Sequence, residues 1–456
     1  MESGDVIDLD ITGVAHGGVF VGRHEGRVVF VPDAIPGERV RVRLADTSKG
    51  SFWRAEALEI LDGSPHRIPH VWRQADIDTA PELRPGGADF GHIELGHQRE
   101  LKVRVLRDSL QRVGGIDDIE ISMEAAMPVV SDAGDVIAAE SADGTGWRTR
   151  VSLHVDAEGR VGPFAARSHR VIPVEDLPLA TAAVERAARN LSQGTPGRLD
   201  LVQPADGEVR ALIRPERPER ARGGRGPRGR RGPRPQSLPP QSGDPSREVV
   251  TERVGGRDFR VDAGGFWQVH RLAAHSLTRL VAASLRELRT DGPVIDPDAW
   301  HLDLYGGVGL FAATLGELGG PATRVTSVES DARATEHAGE NLAEWIGARA
   351  ETDRVDRWIA RVGGEASYAE RERLSRGVVV LDPPRSGAGR EVVEGIADLE
   401  PAAVVYVACD PVALARDLAT FRDLGYEAAR IHAADLFPDS HHLEAVATLT
   451  RVPPPR

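Results

Sequence analysis

From residue 249 onward, segments that read as strands alternate with segments that read as helices, and this pattern constrains the chain more than any other feature. Strand patterns run over His301–Tyr305, Arg324–Glu329, Gly377–Asp382, Val404–Cys409, Ala428–Ala433 and Leu443–Thr450. Helical patterns run over Phe311–Leu318, Ala332–Gly347, Val392–Leu399 and Pro411–Leu424. Alternation at this spacing predicts an α/β fold with a parallel, doubly wound sheet. Ligands of such sheets sit beyond the carboxyl ends of the strands, so the residues closing each strand are where chemistry is sought.

The stretch HLDLYGGVGLF (301–311) places Asp303 in a strand and Gly306, Gly307 and Gly309 in the turn before a helix. Glycines there let the backbone approach a ligand and present amides at the helix start. The next strand ends in Glu329, twenty residues after Gly309. A carboxylate at that place accepts hydrogen bonds from the ribose of an adenosine cofactor. A dinucleotide remains open on this pattern. The spacing D-x-Y-G-G-x-G departs from G-x-G-x-x-G, however, and favours S-adenosylmethionine, which has no pyrophosphate.

Three further strand ends carry reactive groups. In VVVLDPPRSGAG (378–389) Asp382 leaves the strand and two prolines stiffen the loop. In VVYVACDPVALARD (404–417) the single cysteine, Cys409, stands between a strand and a helix. A helix start lowers a thiol pKa and exposes a nucleophile; the alternative is a buried structural cysteine. In DLFPDSHHLEAVATLT (435–450), His441, His442 and Glu444 precede the final strand. Two adjacent histidines without an ordered carboxylate set read as structural rather than metal-binding.

The chain has 456 residues, enough for two to four domains at ~100–200 residues each. Residues 1–62 alternate valines with polar residues between glycine turns, which suits a small barrel of the OB type. The arginines in Glu38–Leu44 either make one barrel face cationic or mark the wet side of an edge strand. Residues 63–248 read as a mixed α/β central domain, with a helix over Glu94–Val113, a strand over Trp147–Val155 that carries two arginines, and a helix over Leu179–Gln193. Between Arg214 and Arg234 there are nine arginines against two glutamates, set among Gly and Pro. Such a segment cannot bury apolar surface, so a disordered insertion over about 214–247 is expected. It either binds RNA backbone by counterion release or is a passive insertion. No run of ~18 apolar residues occurs, which excludes a transmembrane helix, and the acidic N-terminus is no secretory signal. One thiol excludes a disulfide framework, and with no export signal it fits a cytoplasmic protein. The formal charge of -13 argues against a wholly basic nucleic-acid coat.

Taken together, LDLYGGVGLF, LDPPRSG, YVACDP-x-x-L-A-R-D and DLFP-x-S-x-H-x-E resemble the RNA uracil-5-methyltransferase family, which includes the bacterial rRNA and tRNA m5U enzymes. The resemblance covers 249–456 and extends to 1–62, where GVAHGGVFVGRHEGRVVFVPDAIPGERVRV is similar to the TRAM domain. It implies a Rossmann-like catalytic domain, S-adenosylmethionine as cofactor, and a monomeric enzyme acting on single-stranded or flipped uridine. It assigns Cys409 as the nucleophile and Glu444 as the general base, with Gln268, Tyr305, Gly307, Glu329, Asp353 and Asp382 at the cofactor. Phe266 and Arg385 fall to the substrate. Departures are visible: His270 stands for an asparagine in F-x-Q-x-N, and Leu310 for a polar residue. Pro85 and Ala88 replace cysteines in a segment where relatives carry an iron–sulfur cluster, so no cluster is expected.

The chemistry agrees with this assignment. Uracil C5 is a poor nucleophile until a thiolate adds at C6, and the C5 proton must later leave to a base. Three alternatives stay open: an RNA cytosine-5-methyltransferase, disfavoured by the lone thiol; an amino-group methyltransferase, which needs none; and a weakened or non-enzymatic RNA-binding relative.

Overall fold

The computed structural model describes residues 1–191, 194–215, 243–288 and 294–452. Most of the arginine- and glycine-rich segment, residues 216–242, therefore lies outside the described residues.

The N-terminal residues close into a five-stranded barrel. Its strands β1 (Val6–Ala15), β2 (Val19–His24), β3 (Arg27–Val31), β4 (Arg39–Asp46) and β5 (Phe52–Asp62) follow the order β1-β2-β3-β5-β4, with β4 returning to β1. The two-residue period does the work: Leu9 and Ile11 of β1 and Val40, Val42 and Leu44 of β4 are buried in the lumen. The arginines between them do not leave a cationic face. Arg41 pairs with Asp8 at 3.0 Å and Glu59 at 2.7 Å, and Arg43 with Glu56 at 2.7 Å. Nor is β4 an edge strand, since β1 and β5 flank it. Acidic residues on those neighbours neutralise the stripe.

Helix α1 (Leu95–Ser109) continues through one π turn over Leu110–Gly114, then leads to strand β6 (Glu120–Ala125) and a short hairpin, β7 (Val129–Val130) and β8 (Val136–Ala138). Next come β9 (Arg150–Val155), β10 (Val161–Gly162), helix α2 (Ala182–Arg189), β11 (Gly197–Val202) and β12 (Arg210–Pro215). These four strands form an antiparallel sheet in the order β10-β9-β11-β12. It packs on a separate small core containing Trp72, Trp147, Leu153, Val184 and Leu201. A hairpin of β13 (Val249–Val254) and β14 (Arg257–Asp262) turns at Gly255 and Gly256, both at positive φ. That is the backbone a two-residue hairpin turn needs. Helix α3 (Ala273–Glu287) follows.

The C-terminal region runs β15 (Trp300–Leu304), α4 (Leu310–Gly319), β16 (Arg324–Glu329), α5 (Ala332–Asn341), β17 (Ala348–Thr352), α6 (Val355–Glu365), α7 (Tyr368–Ser375) and β18 (Val378–Leu381). It ends with α8 (Arg390–Asp398), β19 (Ala403–Ala408), α9 (Pro411–Asp423), β20 (Tyr426–Asp435) and β21 (Glu444–Arg451). The sheet has eight strands in the order β17-β16-β15-β18-β19-β21-β20-β6, parallel except for β21. Its central strands are apolar on both faces: Val379 and Val404 enter one core, Val380 and Val405 the other. The strand order reverses between β15 and β18, and doubly wound sheets bind ligands at that crevice.

Two details differ from the sequence-based expectation. The helix expected over Ala332–Gly347 stops at Asn341, which leaves room for β17, an edge strand whose ARAET is too polar to read as a strand. The far edge, β6, comes from residues 120–125 and pairs in parallel with β20, so the sheet is not built from 249–456 alone.

Candidate active site

A cavity of about 1360 Å³ opens over the carboxyl ends of β15, β16, β18 and β19. The turn leaving β15 shapes one wall. Tyr305, Gly307 and Gly309 all have left-handed φ, at 61°, 54° and 88°. Gly306 is a glycine for a different reason: a Cβ there would meet Ser327 Oγ at 2.0 Å and Asp303 Oδ2 at 2.6 Å. Asp303 Oδ2 accepts from the Ala312 amide at 3.0 Å and the Ser327 hydroxyl at 3.1 Å, while its other oxygen is buried without a partner. Burial pushes this carboxyl up to about 7. At the end of β16, Glu329 is held by the Gly307 amide (3.3 Å), the Asp331 amide (2.8 Å) and the Ser330 hydroxyl (3.0 Å). A glycine cradle beside a carboxylate fixed at the second strand end fits an adenosyl cofactor without pyrophosphate. Tyr305, Gly307, Glu329 and Asp382 line this cavity with Gln268. Asp353 stands apart from them. Its amide donates to the Glu329 carbonyl, and the wall is made by the next residues, Arg354, Val355 and Asp356, as the chain turns into α6.

Cys409, Asp382 and Glu444 sit on adjacent strands. Ala408 pairs with Ala445 across β19 and β21, which brings Cys409 and Glu444 to one end of that pair, and β18 delivers Asp382 beside them. Asp410 caps α9, its Oδ1 accepting from the amides of Val412 at 3.0 Å and Ala413 at 2.8 Å. The helix start does not lower the thiol. Burial, followed by Glu444 and Asp382, pushes Cys409 up to about 12, with the Arg385 guanidinium and a backbone amide opposing. Glu444, buried at the cavity wall, is likewise raised well above the usual carboxylate range by burial and Asp382. Asp382 rises to about 7 through burial and Asp303.

The loop after β18 is tied down by Asp417 of α9. Its Oδ2 accepts from the amides of Ala388 (2.8 Å) and Gly389 (3.3 Å) and from the Tyr406 hydroxyl (2.7 Å). Gly387, at φ +80°, would place a Cβ 2.5 Å from that same oxygen. Arg385 is thereby aimed into the cavity and donates to His442 Nε2 at 3.5 Å. Opposite, Phe266 projects from the loop between β14 and α3 and is 74% exposed.

On its other side Cys409 borders a second cavity of about 80 Å³, closed by His16–Gly18 of the barrel and by His441 and His442. His441 Nδ1 lies 2.5 Å from Asp89 Oδ2, so the paired histidines are engaged with protein groups. Among the described residues no group of three or more His, Cys, Asp and Glu is arranged to hold a metal. Of the residues facing the main cavity, sequence reasoning missed Arg148, Arg354 and Asp356. The only signal for Arg148 was a strand carrying two arginines, and nothing in the sequence linked that strand to the site.

The comparisons with known proteins agree with this geometry. The TRAM domain family matches residues 2–58, and the tRNA (uracil-5-)-methyltransferase family matches 370–452, the stretch holding Asp382, Cys409 and Glu444. An uncharacterized RNA methyltransferase of Streptomyces avermitilis is 38% identical over 465 residues, covering 98% of each chain. The chain belongs to the RNA (uracil-5-)methyltransferase family. A second relative of this family, an uncharacterized RNA methyltransferase of Streptomyces coelicolor, is 36% identical and spans 98% of this chain and 93% of its own. In fold, the chain resembles the tRNA (uracil-54, C5)-methyltransferase of Pyrococcus abyssi, solved with S-adenosyl-L-homocysteine. The TM-score is 0.62 at 20% identity, over 97% of this chain and all of that one. The protein is thus an S-adenosylmethionine-dependent RNA methyltransferase with a TRAM barrel. Among the described residues no helix is long and apolar enough to cross a membrane.

Proposed function

We propose that this methyltransferase modifies C5 of a uridine in structured tRNA or rRNA, through a covalent bond from Cys409 to C6. The observation that carries the reading is the shared cavity in which Cys409, Glu444, Asp382 and Arg385 meet the glycine cradle of β15. The bound cofactor supplies an activated methyl group. The chain's own residues do the rest. Cys409 Sγ adds to C6 and turns the ring into an enolate whose C5 is nucleophilic. After C5 has gained its methyl, Glu444 takes the C5 proton, and elimination of the thiolate restores the double bond. Gln268, Tyr305, Gly307 and Glu329 hold the cofactor; Phe266, at the cavity mouth, offers a face for the uracil ring.

The high thiol pKa supports a site that is inert until loaded. Burial, with Glu444 and Asp382 adding to it, holds the sulfur protonated in the free protein. A substrate that shields it from those carboxyls while Arg385 stays in place favours the thiolate. The reading extends to the domains: barrel and central domain grip RNA while residues from 249 onward catalyse. The uridine reaches the thiol only when unstacked, so loops and flipped bases are the substrate class.

The test is RNA containing 5-fluorouridine, whose fluorine blocks proton removal and traps the adduct. A cofactor-dependent band surviving denaturing electrophoresis, lost in Cys409→Ala, is expected. Methylation of ordinary RNA by Cys409→Ala would instead favour amino-group transfer.

A further inference from the structure

A third cavity, of about 370 Å³, lies over the central sheet. Its walls include Leu153, His154, Phe164, Arg167 and Leu179, and it shares Arg148 with the main cavity. One side chain therefore stands between the two spaces.

Two observations indicate what this cavity takes. The first is aromatic. The rings of His154 and Phe164 stack at 3.5 Å and 13°, with His169 edge-on to Phe164 at 5.3 Å. Burial, reinforced by Arg198, lowers the His154 pKa, which favours a neutral, flat imidazole. Unpaired RNA bases are bound on such platforms.

The second is charge. The Arg148 Nε donates to the Arg150 carbonyl at 3.0 Å, and the charged group acting on its guanidinium is another cation, Arg385. Both guanidiniums line the main cavity, Arg148 lying 5.7 Å over the Trp147 ring, and an anion bound there relieves their mutual repulsion. Arg167, on the far wall, is held at φ 59° in a loop between β10 and α2, a left-handed backbone that non-glycine residues seldom adopt. Peptide partners do not need this pairing of a stacking platform with phosphate-binding cations beside a nucleic-acid site; a nucleotide does.

We infer that this cavity is a second nucleotide subsite. It takes an unstacked base of the same RNA, near the target uridine, on the His154–Phe164 pair, with the intervening phosphate on Arg148. The inference rests on the RNA-methylation reading, but it is tested by binding rather than by turnover.

A fluorescein-labelled oligouridylate serves as probe, with affinity read by anisotropy across a salt series. Base stacking is worth ~1–3 kcal/mol, so His154→Ala and Phe164→Ala should each weaken binding about tenfold or more with an unchanged salt slope. Arg148→Gln should weaken binding and lower the slope by about one. Thermal melting checks that each variant folds. In the wild-type protein, oligouridylate carrying 5-iodouridine should crosslink on irradiation to a peptide containing His154 or Phe164. Wild-type affinity in both aromatic variants, or crosslinks confined to the main cavity, would overturn the subsite. If the wild-type protein fails to trap 5-fluorouridine RNA yet crosslinks at Phe164, the covalent mechanism fails and the subsite stands.

Discussion

Nε2 of His16, at the tip of the first barrel hairpin, lies 2.9 Å from Oδ2 of Asp410, the residue between Cys409 and the helix it caps. The RNA-binding barrel thus touches the loop of the proposed nucleophile. The seam is tight: a Cβ on Gly18 would fall 2.3 Å from Asp89 Oδ2 and 2.7 Å from His441 Nδ1, at a φ of +71°.

His16→Ala should leave the fold almost unchanged, since a largely exposed pair contributes at most ~1 kcal/mol. It should slow trapping of 5-fluorouridine RNA several-fold at saturating RNA, because the loop carrying Cys409 loses a tether. Rapid-quench kinetics beside a melting curve separate the two effects. Equal trapping rates would reduce the contact to a passive one.

Glu444→Gln keeps the shape of a buried side chain and removes the base. The variant should accumulate a gel-stable adduct with ordinary uridine RNA, having transferred the methyl without releasing product. A variant that turns over normally would move the proton acceptor elsewhere, Asp382 being the nearest candidate.

Asp417 holds two amides and a hydroxyl, of which the Ala388 amide also donates to Tyr406, so Asp417→Ala strands the other two donors and should cost ~2–3 kcal/mol. Tyr406→Phe loses two bonds, the one donated to Asp417 and the one accepted from the Ala388 amide, and should cost ~1–2 kcal/mol. Both should raise KM for RNA more than for cofactor, because the loop they hold carries Arg385. Denaturant unfolding and initial rates check the pair of claims.

Asp303 keeps its proton up to about 7 when folded, against 3.8 for the free side chain. A raised pKa gives stability that is fully present below about 4 and lost as pH rises through about 7. Asp303→Asn has no proton to lose. Its melting temperature should therefore exceed wild type at pH 8, with the gap narrowing through pH 5 and closing only below about pH 4. Trapping rates should climb with pH in the wild-type protein, since Cys409 and Asp382 are both held protonated at low pH.

Much of this was legible in the sequence. The barrel showed in its period-two valines, and the cofactor turn in glycines that the structure uses for left-handed φ and for contact with Ser327. Strand ends pointed to Asp382 and Cys409, which close the adjacent parallel strands β18 and β19, while Glu444 joins them because β21 runs antiparallel and begins where β19 ends. Pairings across long sequence distances were not legible. The contact of His16 with Asp410, Arg148 beside Arg385, and β6 on β20 join residues hundreds of positions apart, and none leaves a local period. The thiol pKa was misjudged for a related reason. A helix start is visible in sequence, whereas burial and the approach of two carboxyls depend on the assembled site.

Strand β6 has a practical consequence. Together with α1, whose Leu106 and the following Leu110 pack on Leu414, Leu418 and Phe421, it covers an edge and a face of the methyl-transfer sheet. A recombinant fragment starting near residue 249 would bare the β20 backbone to any passing strand and would aggregate. The smallest soluble transferase must carry the segment from about Leu95 to Ala125, whatever else is trimmed.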